Sequence, residues 1–165
     1  PGVGKTTVVR TVATRLGIRA GGFYTQEVRE QGRRTGFRLV ALDGPTGILA
    51  GVNVSSRYRV GRYRVCLDGL ESVGVESLWR ALAQPEAAVV IVDEIGKMEL
   101  ISAAFRDAVS AALDSAKPVV ATIMAGSQPW VDAVKTRPDT TLVEVTRDNR
   151  EELPELVWRW LQKVL

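Results

Sequence analysis

Hydrophobic positions in the first part of the chain recur at helical spacing. Between residues 4 and 16 the apolar side chains fall three or four positions apart, and Gly17 ends the pattern. From Gly21 to about Val65 the spacing changes to alternation, which predicts short strands separated by turns that contain glycine or proline. The predicted strands cover residues 22–29, 35–42, 48–52 and 63–67, with a hairpin turn at 31–34 and an exposed loop at 55–61.

The rest of the chain alternates between apolar runs and helical patterns. Residues 87–92 are continuously apolar and the run stops at Asp93-Glu94, which is typical of a strand buried on both faces of a parallel sheet. Further strands are predicted at 118–123 and 141–145, and helices at 75–83, 102–114, 130–134 and 151–164.

This order of elements predicts an α/β fold with a mostly parallel sheet flanked by helices, in one domain over residues 1–165. The β-rich residues 21–67 interrupt the alternation of strands and helices. They predict an antiparallel β insertion, packed against one edge or face of the main sheet.

The residues before the first helix carry the end of a phosphate-binding loop, Pro1-Gly2-Val3-Gly4-Lys5-Thr6-Thr7. The full pattern is a glycine, four residues of any kind, then Gly-Lys-Ser/Thr. Its first glycine and the strand that feeds the loop would precede residue 1, so we expect the first strand to be missing from this chain.

This loop predicts a phosphate site. Its glycines allow backbone amides to wrap phosphate oxygens at the positive end of the following helix. Lys5 can reach the β- and γ-phosphates, Thr6 supplies a hydroxyl for Mg²⁺, and Thr7 lies near the α-phosphate. A bare Gly-Lys-Thr also fits a glycine turn before an ordinary helix, so a second motif is needed.

Asp93-Glu94 is that second motif. At the end of a buried strand, Asp93 can hold the Mg²⁺ that Thr6 also binds, because Mg²⁺ prefers oxygen ligands. Side chains alternate along a strand, so Glu94 points elsewhere and is free to accept a proton from an attacking water. Alone, the pair also fits the cap of a helix that follows a strand. Together with the phosphate loop, it indicates a nucleotide hydrolase.

Glu94 also bears on the class of reaction. A kinase must keep water away from the γ-phosphate, so a base beside the metal carboxylate favours hydrolysis over transfer. A nucleotide or nucleoside kinase remains an alternative, and so does a nucleotide-operated switch that acts with nucleic acid or a protein partner.

Other charged or polar side chains are weaker candidates. Lys97 follows Glu94 by three residues and is a candidate catalytic cation. Arg150 lies before the last helix, where a base could stack, although Asp148 and Glu151 around it match a capping box. Thr122 is a candidate for orienting water or for a local hydrogen bond. Three arginines of the insertion could cover the phosphates but fit solvated hairpin charges better: Arg29, Arg33 and Arg34.

Composition narrows the remaining possibilities. The chain has no histidine and one cysteine, Cys66, which excludes histidine-based catalysis and an internal disulfide and favours a cytoplasmic location. The net charge of +3 is a small surplus, so nucleic acid is not an expected partner. No apolar run approaches the roughly 20 residues that span a bilayer, and no leader is visible, so no membrane association is expected.

Several blocks together resemble one family. Besides Gly4-Lys5-Thr6-Thr7, they are the stretch from Gly21 to Glu30, Arg34-Thr35-Gly36-Phe37, and the stretch from Asp93 to Leu100. They are similar to the small nucleoside-triphosphatases first described from thermophiles, also called cancer-related nucleoside triphosphatases.

The resemblance implies a RecA-like P-loop core and slow, Mg²⁺-dependent hydrolysis of ATP, GTP and other nucleoside triphosphates to diphosphate and phosphate, with low base selectivity. By matching position, Lys5 and Thr6 would contact phosphate and metal, Asp93 would be the acid on the metal side, and Glu94 the base. The resemblance does not indicate the oligomeric state.

Overall fold

The computed structural model describes residues 2–165, so Pro1 and its predicted phosphate contact lie outside the described residues. The strands are β1 (Ala20–Glu30), β2 (Arg33–Ala41), β3 (Thr46–Gly51), β4 (Arg59–Val60), β5 (Tyr63–Val65), β6 (Val89–Ile95) and β7 (Val119–Ile123). The helices are α1 (Lys5–Leu16), α2 (Leu67–Gly69), α3 (Glu76–Ala83), α4 (Ala103–Asp114), α5 (Pro129–Lys135) and α6 (Leu153–Val164). A π-helical segment covers Leu70–Val75, and 3₁₀ turns cover Gly17–Arg19 and Glu99–Ile101.

The strands form one sheet in the order β4-β5-β3-β2-β1-β6-β7. β1 lies between a parallel part and an antiparallel part of this sheet. β1 pairs in parallel with β6, which pairs in parallel with β7. On its other side β1 pairs antiparallel with β2, and β3, β5 and β4 continue antiparallel to the edge. The predicted α/β fold is confirmed, and the insertion extends the edge of the parallel part.

The hairpin between β1 and β2 turns through two residues with left-handed backbone. Gln31 has φ 49° and Gly32 has φ 78°, the combination that a two-residue type I′ turn requires. Glycine accepts this conformation without steric cost, whereas it is uncommon for glutamine. The turn predicted within residues 31–34 therefore forms, and it sets the register of the hairpin.

The sheet is covered on both faces, and β6 contributes side chains to both. Val89 and Ile91 lie in a cluster formed with α1 and α6. Val90 and Val92 lie in a larger cluster formed with the π-helical segment, α3 and α4. Within residues 2–165, no helix combines the length and apolar character needed to span a membrane. The two-sided burial of β6 confirms the strand predicted from the continuous apolar run.

β6 does not stop before Asp93, as the sequence suggested, but continues to Ile95. Its pairing with β7 shifts register between Val92 and Ile95, so that two residues of β6 lie opposite Thr122 alone. An extra residue of this kind is a β-bulge, which bends the strand and redirects its side chains. Asp93 and Glu94 are the two residues at this bulge.

The strand predicted at residues 141–145 is wrong. These residues form no strand, and Leu142 and Val143 are 57% and 45% exposed. A strand requires hydrogen bonds to a neighbour, and among the described strands β7 is the last on this side of the sheet. The parallel part consequently holds three strands within residues 2–165.

Candidate active site

The phosphate loop leads directly into α1. Gly4 has φ 109°, which places it in the left-handed region, and α1 begins at the next residue, Lys5. None of the side chains in residues 2–165 caps this helix, and Val8 N–H donates to the Gly4 carbonyl at 3.0 Å. The first amides of a helix lack intrahelical partners, so the start of α1 offers hydrogen-bond donors and a positive dipole end to an anion.

Asp93 lies beneath the loop and is almost fully buried, with 1% of its surface exposed. Its Oδ1 accepts hydrogen bonds from Thr122 Oγ1 at 2.6 Å and Thr6 Oγ1 at 3.2 Å. Its Oδ2 accepts from Thr25, through the amide at 3.3 Å and the hydroxyl at 3.4 Å. Burial raises the pKa of Asp93 above its ordinary value, although the hydrogen bonds from Thr122, Thr6 and Thr25 oppose that change.

The predicted base contacts the predicted phosphate-binding lysine. Lys5 Nζ lies 2.8 Å from Glu94 Oε2, with the two side chains 24% and 35% exposed. Glu94 therefore faces the cleft beside the loop, whereas Asp93 is buried beneath it. The contacts Lys5–Glu94 and Thr6–Asp93 bring together the four polar side chains that the two sequence motifs supply.

The other candidates from the sequence are distributed around this centre. Lys97 is exposed and lines the same cleft. Thr7 is exposed in the first turn of α1. A methyl group added at Gly4 would lie 3.1 Å from Cδ of Arg150, so the exposed Arg150 side chain packs against the loop. Its stacking on a base stays a prediction.

The capping box predicted around Arg150 does not form. α6 begins at Leu153, and no side-chain hydrogen bond caps it within the described residues. Asn149 instead orders the turn before the helix, accepting from the Thr146 amide at 2.8 Å. This turn directs Arg150 towards the phosphate loop.

Two of the three candidate arginines of the insertion already have hydrogen-bonding partners within the protein. Arg29 and Arg34 both pair with Glu27, at 2.8 and 2.9 Å. Arg34 also donates to the Tyr63 hydroxyl at 2.9 Å, although its side chain lines the cleft. Arg33 is exposed next to the hairpin turn.

Sequence reasoning missed Thr25 and Glu99. Thr25 meets Asp93 because β1 and β6 are parallel with Phe23 opposite Val92, a register that no local pattern reveals. Glu99 lies in the 3₁₀ turn after β6, is 3% exposed and lines the same cleft. Burial raises its pKa from 4.5 to about 8. The sequence signal for Glu99 was an acidic residue between apolar ones, Met98 before it and Leu100 after it.

The donor set suits a magnesium ion. Thr6 and Asp93 offer hydroxyl and carboxylate oxygens within 3.2 Å of each other. Among residues 2–165 no group of three or more acidic, histidine or cysteine side chains could hold a metal by itself. Mg²⁺ normally takes one or two carboxylates together with water and substrate phosphates, so a sparse set of oxygen donors beside a phosphate loop fits it.

Comparisons with known proteins agree with this arrangement. The sequence model of the NTPase family matches residues 1–158. The nucleoside-triphosphatase THEP1 of Thermotoga sp. strain RQ2 is 50% identical over 93% of this chain and 86% of its own length. That of Methanocaldococcus jannaschii is 37% identical over 100% of this chain and 93% of its own length.

Solved structures have the same fold. The crystal structure of THEP1 from Aquifex aeolicus superposes with a TM-score of 0.88 at 40% identity, covering 98% of this chain and 94% of the other. The solution structure of a human cancer-related nucleoside triphosphatase gives 0.83 at 36% identity, covering 99% and 94%. The expected family is confirmed: the chain belongs to the NTPase family, a family of nucleoside-triphosphatases.

Proposed function

We propose that the chain hydrolyses nucleoside 5′-triphosphates to nucleoside diphosphate and phosphate in a Mg²⁺-dependent reaction with low base selectivity. The observation that carries this proposal is the pair of contacts Lys5–Glu94 and Thr6–Asp93, at 2.8 and 3.2 Å. These contacts bring four groups to one point of the cleft: a phosphate-binding lysine, a metal-binding hydroxyl, a carboxylate on the metal side and a second carboxylate.

Substrate binding depends on the loop. The amides of residues 2–4 and of the first turn of α1 donate to phosphate oxygens, and Lys5 adds a positive charge at the β- and γ-phosphates. Arg150 packs on Gly4 and stacks its guanidinium on the base. Stacking reads the face of a base and not its hydrogen-bonding edge, which supports the proposed low base selectivity.

Glu94 acts as the general base. It takes a proton from a water molecule as the water oxygen attacks the γ-phosphorus. The bond from this phosphorus to the bridging oxygen breaks, and that oxygen stays on the diphosphate. Lys5 and Lys97 stabilise the negative charge on the transferring phosphoryl group.

Thr6 and Asp93 would hold Mg²⁺, which when bound neutralises charge on the β- and γ-phosphate oxygens. Thr25 and Thr122 hold the Asp93 carboxylate in place by donating hydrogen bonds to it. The hydroxyl groups that surround Asp93 therefore orient the carboxylate that faces Thr6.

Phosphate release tests the proposal. The protein is mixed with ATP, GTP, CTP or UTP, with Mg²⁺ or with EDTA. We expect phosphate from all four nucleotides with Mg²⁺ and at most background release with EDTA. Glu94→Gln should lower kcat by at least about 100-fold while nucleotide binding survives, because the amide cannot accept the proton.

A matched control is Glu86→Gln, which changes an exposed glutamate outside the site. It should leave kcat unchanged. Equal loss of binding and turnover in Glu94→Gln would contradict its role as base. Phosphate transfer that appears only when nucleosides or nucleoside monophosphates are added would favour a kinase, and turnover only with a polynucleotide or protein partner would favour a switch.

A further inference from the structure

Glu99 is a buried acid that the proposed reaction leaves without a role. It begins the 3₁₀ turn Glu99–Ile101, directly after β6, and only 3% of its surface is exposed. A glutamate is seldom buried to this extent unless a partner or a function holds it there. Its side chain borders the cleft that also contains Lys5 and Glu94.

Glu99 and Glu94 approach each other over a single glycine. A methyl group added at Gly96 would lie 2.8 Å from Oε1 of Glu94 and 3.0 Å from Oε2 of Glu99. The two oxygens therefore point into the same small space, which exists because residue 96 has no side chain. Glu94 meets Lys5 through its other oxygen, Oε2.

The charge state of Glu99 suits it to this contact. Burial raises the pKa of Glu99 to about 8, and the nearby carboxylates of Glu94 and Asp93 raise it as well, against hydrogen bonds from its own amide and that of Gly96. Lys5 contacts Glu94 through Oε2 and not through the oxygen nearest Gly96, and Lys97 is exposed. At neutral pH Glu99 is a neutral acid, which can donate a hydrogen bond to a carboxylate.

We propose that Glu99 is a positioning residue that holds Oε1 of Glu94 over Gly96, directly or through one water molecule, so that Oε2 stays directed at the attacking water. The proposal rests on the role of Glu94 as the general base. It explains how the base keeps its orientation when Lys5 leaves Oε2 to bind phosphate. Ionised Glu99 would instead repel Glu94 and lose its hydrogen-bond donor.

Two substitutions at Glu99 separate this role from a structural one. Glu99→Gln keeps a donor of similar shape, so kcat at pH 7 should stay within about threefold of the wild-type value. Glu99→Leu removes the donor, so kcat should fall about 10- to 100-fold with KM unchanged, because a misdirected base affects the chemical step. Gly96→Ala should cause a similar loss, since its methyl group displaces both carboxyl groups.

The dependence of kcat on pH gives a second measurement, which does not require Glu99→Leu to fold. The wild-type kcat should fall as pH rises through about 8, when Glu99 loses its proton. Glu99→Gln should not show this fall. The matched control is Glu71→Gln. Glu71 is half-buried, accepts a hydrogen bond from Ser102 at 2.8 Å and lies outside the cleft. The pH profile of kcat in this variant should equal that of the wild type.

Stability provides an independent check on the charge of Glu99. Its folded pKa lies above the ordinary 4.5, so its contribution to stability is fully present below pH 4.5 and is lost as pH rises to about 8. Glu99→Gln should therefore flatten the dependence of the melting temperature on pH between these values.

The outcomes separate the two proposals. Full activity of Glu94→Gln would overturn the role of Glu94 as the general base, and absence of phosphate release by the wild-type protein would overturn the proposed function itself. Inactive Glu94→Gln together with an unchanged kcat in Glu99→Leu would overturn only the positioning role. An alkaline fall of kcat that persists in Glu99→Gln would overturn it as well.

Discussion

At the scale of single residues, the site depends on how one buried carboxylate is held. Asp93 is surrounded by three threonines, whose hydroxyl groups all donate to it. A buried carboxylate is costly unless its oxygens accept hydrogen bonds, so these threonines stabilise the fold as well as orient the acid. The shortest of the three contacts, from Thr122, comes from the residue opposite the β-bulge.

Removing that hydroxyl should destabilise the protein measurably. Thr122→Val keeps the shape of a buried strand residue but leaves Asp93 with one donor fewer. We expect the free energy of unfolding to fall by about 1–3 kcal/mol, as measured by urea denaturation. Thr46→Val, at an exposed threonine in β3, is the matched control and should change it by less than about 0.5 kcal/mol. Equal effects at the two positions would show that the hydrogen bond to Asp93 contributes little.

At the scale of elements, the close pairing of β1 with β6 brings Thr25 to Asp93. Gly22 permits this pairing, since a Cβ at that position would lie 2.0 Å from the carbonyl oxygen of Ile91. Its φ of 103° also lies in the region that glycine favours. The register between the two strands therefore depends on one missing side chain.

Gly22→Ala should accordingly prevent normal folding. Gly44→Ala is the matched control, because Gly44 also has a positive φ, 123°, but nothing lies within 4 Å of its Cβ position. Both variants acquire backbone strain, and only Gly22→Ala forces β1 away from β6. We expect Gly44→Ala to lose about 1–3 kcal/mol of stability and Gly22→Ala to lose considerably more or to be insoluble. Comparable melting temperatures for the two variants would contradict this account.

The elements also show what the sequence could and could not predict. The helix after the phosphate loop and the buried β6 followed from periodicity, because each depends on local burial. The closeness of Thr6 to Asp93 followed from the two motifs, because both side chains were predicted to bind one Mg²⁺. The ion pair between Lys5 and Glu94 was not predicted, because the motifs assign Lys5 to phosphate and Glu94 to water. Thr25 required the register between two distant strands, and Glu99 required the path of the chain after Ile95. Residues 141–145 have the composition of a strand, but composition does not supply a neighbour for pairing.

At the scale of the whole molecule, charge is unevenly distributed. Residues 31–67 contain seven arginines, no lysine and one acid, so this segment carries +6 although the whole chain carries only +3. Arg59 of β4 pairs directly with Arg64 of β5 at the far edge of the sheet. Within this segment, Arg34 has an acidic partner in Glu27 of the neighbouring β1. The net charge of the chain therefore understates the positive potential of this edge.

Cation-exchange chromatography can measure this asymmetry, because a charged resin responds to the most positive face of a protein and not only to its net charge. Changing Arg57, Arg59 and Arg62 to Gln should lower the salt concentration needed for elution. Changing Arg19, Arg147 and Arg159, which are exposed outside this segment, removes the same charge and should lower it less. Equal shifts would mean that the resin does not distinguish this edge from the rest of the surface.

The ion pair between Lys5 and Glu94 has a consequence for affinity. Glu94 forms an ion pair with the Lys5 ammonium group, which a phosphate of the nucleotide also needs. Glu94 therefore competes with the nucleotide for Lys5. The free energy of that pair, about 0.2–1 kcal/mol for a partly exposed contact, is subtracted from nucleotide binding. The Glu94→Gln variant would then bind nucleotide up to about fivefold more tightly even though it cannot turn it over. Release of the base and capture of the substrate are thus one exchange reaction.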